Sequence, residues 1–146
     1  MANEVPYAFP VELLKGNHDF ASDTFKLALY TANPYTQSTS TVYVATSESS
    51  GTEYSAGGNT LTSNAVSNVA DIATVDFANS VWGSPTPATF SAAYGAIYNS
   101  SESNKLIVIL DFGGTKACSN GTFTVTFPDP TSGSPSGADA LLSITS

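Results

Sequence analysis

The chain has 146 residues, with 4 Lys, no Arg and 12 Asp or Glu, which gives a formal net charge of −8. Such an acidic chain can release few counterions from phosphates, which argues against direct nucleic-acid binding. Its 39 Ser and Thr, 11 Gly and 8 Pro favour short strands joined by turns over a helical bundle. No apolar run approaches the roughly 18 residues of a membrane span, and we expect neither a membrane segment nor a secretion signal.

The chain carries one cysteine, Cys118, and one histidine, His18. A single cysteine excludes a disulfide within the chain, so stability has to come from apolar burial, strand pairing or association with other copies. Cys118 precedes Asn120 and Gly121, and we interpret it as a small, partly buried packing residue near a turn. His18 lies in the polar stretch 16–19, which favours a solvated side chain over a catalytic base.

The sequence offers little for catalysis or metal binding. No serine stands in a Gly-x-Ser-x-Gly elbow, and Asp111-Phe112-Gly113 lacks the other motifs of a kinase. Asp71 and Asp76 are five residues apart in a predicted strand region, so they point to opposite faces and cannot pair locally. The acids show no Asp-x-Asp-x-Asp spacing for calcium. We therefore expect no enzyme activity, no cofactor and no metal site.

The opening stretch is the least regular part of the chain. Val5, Tyr7, Phe9 and Val11 alternate with polar or small residues, and two prolines among them keep the backbone extended. Proline cannot donate to a strand ladder, so this stretch predicts an edge segment or an arm. A single helical turn at residues 11–15 is the local alternative. The arm either packs on its own domain or lies across a neighbouring subunit.

From residue 24 onwards, apolar residues alternate with polar or small ones, which is typical of half-buried strands. Strands are predicted at residues 24–30, 42–44, 53–62, 66–77 (as one strand or two), 81–82, 89–98, 105–110, 123–127 and 141–144. Residues 105–110 contain five consecutive apolar residues, as in a strand covered on both faces, and they predict the centre of the fold. The polar stretch before them would let them pair with the preceding strand as a hairpin. Gly57 and Gly58 predict a bulge or a sharp bend, and residues 83–87 and 129–137 predict loops.

Seven to nine short strands joined by turns predict an all-β fold. We expect an antiparallel β-sandwich of the jelly-roll or immunoglobulin-like type, with a small barrel as the other possibility. Residues 1–23 would form an extended N-terminal arm, and residues 24–146 a single sandwich domain. Such a fold exposes strand edges, which have to be covered by the chain itself or by a partner.

Several segments occur in an order that is typical of one protein family. They are Phe25-Lys26-Leu27-Ala28-Leu29-Tyr30-Thr31, Glu53-Tyr54-Ser55-Ala56-Gly57-Gly58, Trp82, Thr89-Phe90-Ser91-Ala92-Ala93, Ala96-Ile97-Tyr98, Leu106, Asp111-Phe112-Gly113 and Ser119-Asn120-Gly121-Thr122-Phe123. Together they resemble small virion structural proteins of tailed bacteriophages, a family that includes capsid decoration, or cement, proteins. The likeness extends over residues 25–127.

The resemblance implies a protein without catalytic residues that binds across major capsid protein subunits on the outer capsid surface and stabilises the shell. It implies assembly in the host cytoplasm and self-association, with a homotrimer expected first and a dimer second, because icosahedral shells offer many threefold sites. Nucleic acid and membrane are not expected partners. The candidate interface residues are Val5, Tyr7, Phe9, Val11, Trp82 and Tyr94. Residues 5–11 are expected to reach a neighbour by strand addition.

A host- or glycan-binding module on a virion is the alternative. Seven Tyr and one Trp in a β-sandwich can form a platform on which sugar rings stack, with Trp82, Tyr94 and Tyr98 as candidates. Tyr94 and Tyr98 share a predicted strand face with Phe90 and two alanines, however, which is more typical of a core or a subunit contact. An ordinary enzyme is the least favoured class.

Overall fold

The computed structural model describes residues 3–69, 72–128 and 142–145 of the chain. Within these ranges it contains one short helix and nine strands. They are α1 (Ala8–Leu14), β1 (Phe25–Tyr30), β2 (Asn59–Thr60), β3 (Ala65–Val69), β4 (Ile72–Asp76), β5 (Ser80–Trp82), β6 (Ala88–Asn99), β7 (Lys105–Gly121), β8 (Phe123–Val125) and β9 (Leu142–Thr145).

The strands form three antiparallel sheets. The largest has the order β2-β1-β6-β7, the second has the order β3-β4-β9, and the third pairs β5 with β8. Side chains from all three sheets contribute to one apolar core, which is rich in phenylalanine. The predicted all-β, antiparallel, sandwich-like fold is therefore confirmed.

The hairpin of β6 and β7 is the longest strand pair, and its prediction is confirmed. Residues 106–110 are buried on both faces of the sheet, because Ile107 and Leu110 belong to the main core whereas Leu106 and Ile109 belong to a second apolar cluster. The predicted burial is thus confirmed. In the order of the sheet, however, β7 is the last strand rather than an inner one.

The outer edge of β7 is covered by two segments at its buried end. Glu4 forms an antiparallel bridge with Ile109, and Val42 forms one with Lys105. Residues 42–44 were predicted as a strand, but in the structure Val42 forms only this isolated bridge. The coverage explains how the last strand of a sheet can hold five consecutive buried residues.

The strand β1 is covered on both faces, although its alternating sequence predicted a half-buried strand. Ala28 and Tyr30, on the predicted solvent face, are fully buried. The connection 31–58 supplies the cover, with Tyr35 and Tyr43 packed against this face. A connection so rich in polar residues gave no sign in the sequence that it would bury a sheet face.

Four further predictions from the sequence can be compared with the structure. Residues 66–77 form two strands, the β3–β4 hairpin, and the predicted closing strand is β9, which pairs with β4. The sharp bend before β2 is confirmed, because Gly58 has a φ of +70° and a Cβ there would collide with the carbonyl oxygen of Leu27. Residues 83–87 form the predicted loop. The loop predicted at 129–137 lies outside the described residues.

The N-terminal segment differs from the extended arm that the sequence predicted. Residues 5–11 do not form a strand, because Ala8–Leu14 is a helix that packs on its own domain and buries Phe9. Pro10 is compatible with this helix since it lies in the first turn, where a backbone N–H has no partner within the helix. The predicted helical turn is therefore real and longer than expected, and Gly16 follows its end with a φ of +75°.

The one cysteine and the one histidine of the chain both lie inside the fold. Cys118 is partly buried against the core, as predicted, but it sits within β7 and not at a turn. His18 is buried, with only 6% of its surface exposed, so the prediction of a solvated histidine is wrong. The stretch around His18 is polar, but the rings of Phe9 and Phe20 cover the imidazole.

Candidate interaction surface

Helix α1 and Tyr7, its N-cap residue, carry exposed apolar side chains on one side. Tyr7, Val11 and Leu14 are 64%, 51% and 90% exposed. Their spacing of four and three residues places them along one face of the helix, while Phe9 and Leu13 lie on the opposite face and contact the core. We call Tyr7, Val11 and Leu14 the α1 stripe. A contiguous apolar patch on a protein surface marks an interaction site more often than isolated apolar residues do.

Backbone hydrogen bonds hold the segment that carries the α1 stripe. Glu4 exchanges two bonds of 2.8 Å with Ile109 on the edge of β7. The backbone N–H of Tyr7 donates to the carbonyl of Gln37 at 3.1 Å, and the side-chain amide of Gln37 donates to the carbonyl of Val5 at 3.0 Å. The stripe is thus fixed to the domain at its N-terminal end.

A shallow cleft lies beside the N-terminal end of the stripe. It has a volume of about 290 Å³ and is bounded by Glu4, Tyr7, Asn33 and residues 35–38. Its walls carry a carboxylate, two tyrosine rings and several amide and hydroxyl groups. A partner surface that covered the stripe would therefore also meet hydrogen-bonding groups at one end, as in the polar rim of an ordinary protein interface.

A polar cluster lies beneath α1 and joins it to the sheet. Glu12 of α1 places one carboxylate oxygen 3.3 Å from Nζ of Lys105 and the other 3.4 Å from Nε2 of His18. Nδ1 of His18 lies 3.2 Å from Nδ2 of Asn99, which also contacts Asp23 at 2.6 Å. We call these five residues the His18 cluster. The Glu12–His18 separation is long for a hydrogen bond, and neither atom has another hydrogen-bond partner among the described residues.

The hydrogen bonds of Asn99 determine the protonation of the imidazole. The backbone N–H groups of Ser101 and Glu102 both donate to Oδ1 of Asn99, which fixes this atom as the oxygen. The nitrogen Nδ2 must therefore face Asp23 and His18, and it donates to both. Since Nδ2 has no lone pair to accept with, Nδ1 of His18 is the unprotonated ring nitrogen and the neutral ring carries its hydrogen on Nε2.

Burial controls the titration of this histidine. Removal from water lowers the pKa of His18 below its ordinary value of 6.5, and the positive charge of Lys105 acts in the same direction. The carboxylates of Glu12 and Asp23 oppose this shift without cancelling it. The fold therefore keeps His18 neutral at pH values where an exposed histidine would begin to take up a proton.

The other predicted interface residues are less exposed than expected. Phe9 and Trp82 are only 6% and 3% exposed and belong to the main core. Val5 is half-buried against the same core, and Tyr94 is half-buried against the second apolar cluster. Of the six residues, only Tyr7 and Val11 are exposed. Leu14, the most exposed apolar side chain of the stripe, was not predicted, because the expected period of two continued only to Val11.

The aromatic residues considered for sugar binding face inwards. The indole of Trp82 packs edge-on against Phe90 and Phe123, with ring centroids about 6 Å apart. Tyr98 is 3% exposed, and its hydroxyl donates to the carbonyl of Gly57 at 2.8 Å. Neither ring offers a face on which a sugar could stack.

A second polar cluster, which sequence reasoning missed, surrounds Glu48. One carboxylate oxygen accepts from the hydroxyl of Tyr54 at 2.8 Å and from the backbone N–H of Gly57 at 2.6 Å. The other accepts from the hydroxyl of Tyr43 at 2.6 Å. We call these four residues the Glu48 cluster. Glu48 stands in a Ser/Thr-rich stretch, and its local sequence holds no signal that three donors converge on it.

A larger groove of about 660 Å³ lies between β7 and β8. Phe112, Lys116 and residues 122–128 form part of its wall. Pro128, the last described residue before position 129, lies at one end of the groove wall along the chain.

Comparisons with known proteins found no match for this chain among protein-family models, curated proteins or solved structures. In the described ranges, no helix has the length and apolar character that crossing a membrane requires. Residues 3–69, 72–128 and 142–145 also contain no group of three or more His, Cys, Asp or Glu side chains placed to hold a metal ion. The structure defines an all-β sandwich. Because one fold can host many unrelated functions, the surface residues and not the fold indicate what the protein does.

Proposed function

We propose that this protein is a non-enzymatic virion structural protein of a tailed bacteriophage, of the decoration or cement type. It binds across major capsid protein subunits on the outer surface of the assembled capsid and stabilises the shell. The α1 stripe, an apolar helix face turned to solvent, is the observation that supports this proposal best. It lies in the N-terminal segment, which the sequence favoured for contact with a neighbour.

Simple energetics favour such a role for a small sandwich. A shell that contains DNA is under outward pressure, and a protein bound across two subunits adds an interface that has to break before they separate. Binding to a lattice that exists only in the assembled shell stabilises that shell by mass action. The net charge of −8 keeps such a protein soluble and away from packaged DNA.

The position of the stripe also suits contact with a large partner. Tyr7, Val11 and Leu14 stand on a helix that is fixed to the sheet edge through Glu4 and Ile109. A fixed apolar face binds without the loss of conformational freedom that a disordered arm would suffer. The contact is therefore helix-on-surface rather than the strand addition expected from the sequence. Self-association on the shell, as a trimer or a dimer, is part of the proposal.

Co-sedimentation with capsids tests the proposal. Expanded empty capsids assembled from the major capsid protein of the same genome are mixed with wild-type protein, with the double variant Val11→Ser/Leu14→Ser, or with Val66→Ser. Val66 is 59% exposed on β3 and serves as a matched control outside α1. We expect wild type and Val66→Ser to sediment with the capsids and the double variant to bind at least tenfold more weakly.

Two results would contradict the proposal. Wild-type protein that stays in the supernatant has no affinity for the shell, and binding to a sugar array instead would favour the glycan-binding class. Equal binding of all three proteins would show that the protein contacts the shell, but through a surface other than the α1 stripe. Circular dichroism of each variant verifies that the fold is intact, because exposed substitutions change stability by no more than about 0.5 kcal/mol.

A further inference from the structure

The His18 cluster connects α1 to the two longest strands. Glu12 comes from α1, Lys105 is the first residue of β7, and Asn99 is the last residue of β6. Asp23 precedes β1 and contacts the same amide. Within the described part of the chain, the carboxylate of Glu12 is joined to the sheet through His18 and Lys105. Glu12 is also the immediate neighbour of Val11 in the α1 stripe.

A proton on His18 has no acceptor within this cluster. Nδ1 is the ring nitrogen that would receive it, and 3.2 Å away it faces the NH₂ group of Asn99. Two donors would then point at each other. Rotating the amide does not relieve this, because its nitrogen would then face the N–H groups of Ser101 and Glu102, and its oxygen would face the carboxylate of Asp23.

The charged groups around the ring do not compensate for the lost contact. Lys105 repels an imidazolium from the β7 side. Glu12 attracts it, but Glu12 lies near Nε2, already faces the ring and is shared with Lys105. Asp23 also attracts it, but Asp23 already accepts from the same Nδ2 of Asn99 at 2.6 Å and makes the smallest contribution of these charges to the pKa of His18. Protonation therefore favours a state in which the imidazole has left the cluster.

We propose that His18 forms a pH-sensitive contact that holds helix α1 on the sheet, so that protonation at Nδ1 releases the helix and disperses the α1 stripe. The consequence for capsid binding rests on the proposed function, whereas the release of α1 does not. On this account the protein binds its partner at neutral pH and loses that surface on mild acidification, while the hairpin of β6 and β7 stays folded.

The direction of the pH effect follows from burial. The pKa of His18 in the folded chain is below 6.5, whereas in the unfolded or released segment it returns to that ordinary value. Between these two values the released state binds the proton and the docked state does not. The docked state is thus fully favoured above pH 6.5 and loses stability as the pH falls below it.

Nuclear magnetic resonance of the free protein tests the proposal, and the single histidine makes its ring signals unambiguous. Long-range ¹H–¹⁵N spectra at pH 8 should show the neutral tautomer with hydrogen on Nε2. Amide exchange, corrected for its intrinsic pH dependence, should rise several-fold in residues 8–18 between pH 7.5 and 5.5, with about tenfold as the limit that one titrating histidine can reach, whereas exchange in β6 should stay unchanged. A hydrogen on Nδ1 at pH 8, or α1 protection that does not change with pH, would overturn the proposal.

The variant His18→Asn provides the control. Its side-chain oxygen occupies about the position of Nδ1 and still accepts from Asn99, but it does not titrate. The pH dependence of α1 exchange should disappear in this variant, and its persistence would contradict the role of His18. If the variant does not fold, the wild-type tautomer and exchange data decide the question.

The same samples separate this proposal from the proposed function. Capsid co-sedimentation at pH 7.5 and 5.5 should show a loss of binding at the lower pH for wild type and none for His18→Asn. If α1 is released at low pH but the protein binds capsids at neither pH, the result supports the pH-sensitive contact and contradicts the cement role. One that binds capsids equally at both pH values, with α1 protected throughout, refutes the pH-sensitive contact alone.

Discussion

Glu48 and Glu12 are both partly buried, yet their carboxylates are held in different ways. Glu48 accepts three short hydrogen bonds, of 2.6 to 2.8 Å, from two tyrosine hydroxyls and one backbone N–H. In the ranges that the structure describes, Glu12 makes two longer contacts, of 3.3 and 3.4 Å, with Lys105 and His18. The first carboxylate is fully satisfied by neutral donors, whereas the second depends on two titratable groups, the charged Lys105 and the neutral imidazole of His18.

This difference separates a part of the fold whose contacts do not depend on pH, the permanent part, from one whose contacts do, the conditional part. Neutral hydroxyl and amide donors keep their hydrogens throughout the physiological pH range, so the Glu48 cluster fixes residues 31–58 over β1 at all times. The contacts of Glu12 change when a single histidine takes up a proton. The proposed interaction surface lies on the conditional part, because α1 is joined to the sheet through Glu12, although Phe9 of the same helix also packs in the main core.

Removing the Glu48 carboxylate should have the largest effect on stability. In Glu48→Ala the hydroxyls of Tyr43 and Tyr54 and the N–H of Gly57 lose their acceptor, and we expect the free energy of unfolding to fall by about 3 kcal/mol. Urea denaturation measures it. Glu48→Gln retains an acceptor oxygen and should lose distinctly less, so equal losses for the two variants would show that the three hydrogen bonds are not the cause.

Removing the Glu12 carboxylate should have a smaller effect. In Glu12→Ala, Lys105 and His18 lose an anion at long distance, and we expect a loss of about 1 kcal/mol at pH 7.5 in urea denaturation. Matched Glu12→Gln keeps the length of the side chain and should lose no more than this. A loss as large as that of Glu48→Ala would contradict the contrast between the two clusters.

An ultraviolet titration of the tyrosines tests the environment of the Glu48 cluster without a stability measurement. Burial raises the pKa of Tyr98 to about 12. It also raises the pKa values of Tyr30, Tyr35, Tyr43 and Tyr54, with the nearby charge of Glu48 adding to the effect. In an ultraviolet titration we expect five of the seven tyrosines to stay protonated well above pH 10. Their ionisation near pH 10 in the folded protein would show that this side of the sheet is open to water.

The sequence was sufficient for the strands whose pattern is local. The hairpin of β6 and β7 was predicted from one apolar run and a polar connection, and the bend before β2 from Gly57 and Gly58. The burial of Tyr30 was not predictable, because it depends on residues 31–58 folding back over the sheet, and no local pattern in that segment indicates such a long-range contact.

The interaction surface was predicted only in part, for a reason of periodicity. Val5, Tyr7, Phe9 and Val11 fit a period of two, which placed all four on one face of an extended arm. In the helix the same residues separate, with Tyr7 and Val11 outside and Phe9 inside. The burial of His18 also depends on packing, since the polar stretch that contains it is covered by rings from elsewhere.

Electron cryomicroscopy of expanded capsids incubated with the purified protein would test the central claim most directly. We predict additional density on the outer surface, at junctions between major capsid protein subunits, into which the sandwich fits with Val11 and Leu14 against the shell. Capsids that carry no such density, or sandwiches bound with α1 facing away from every neighbouring subunit, would contradict the account.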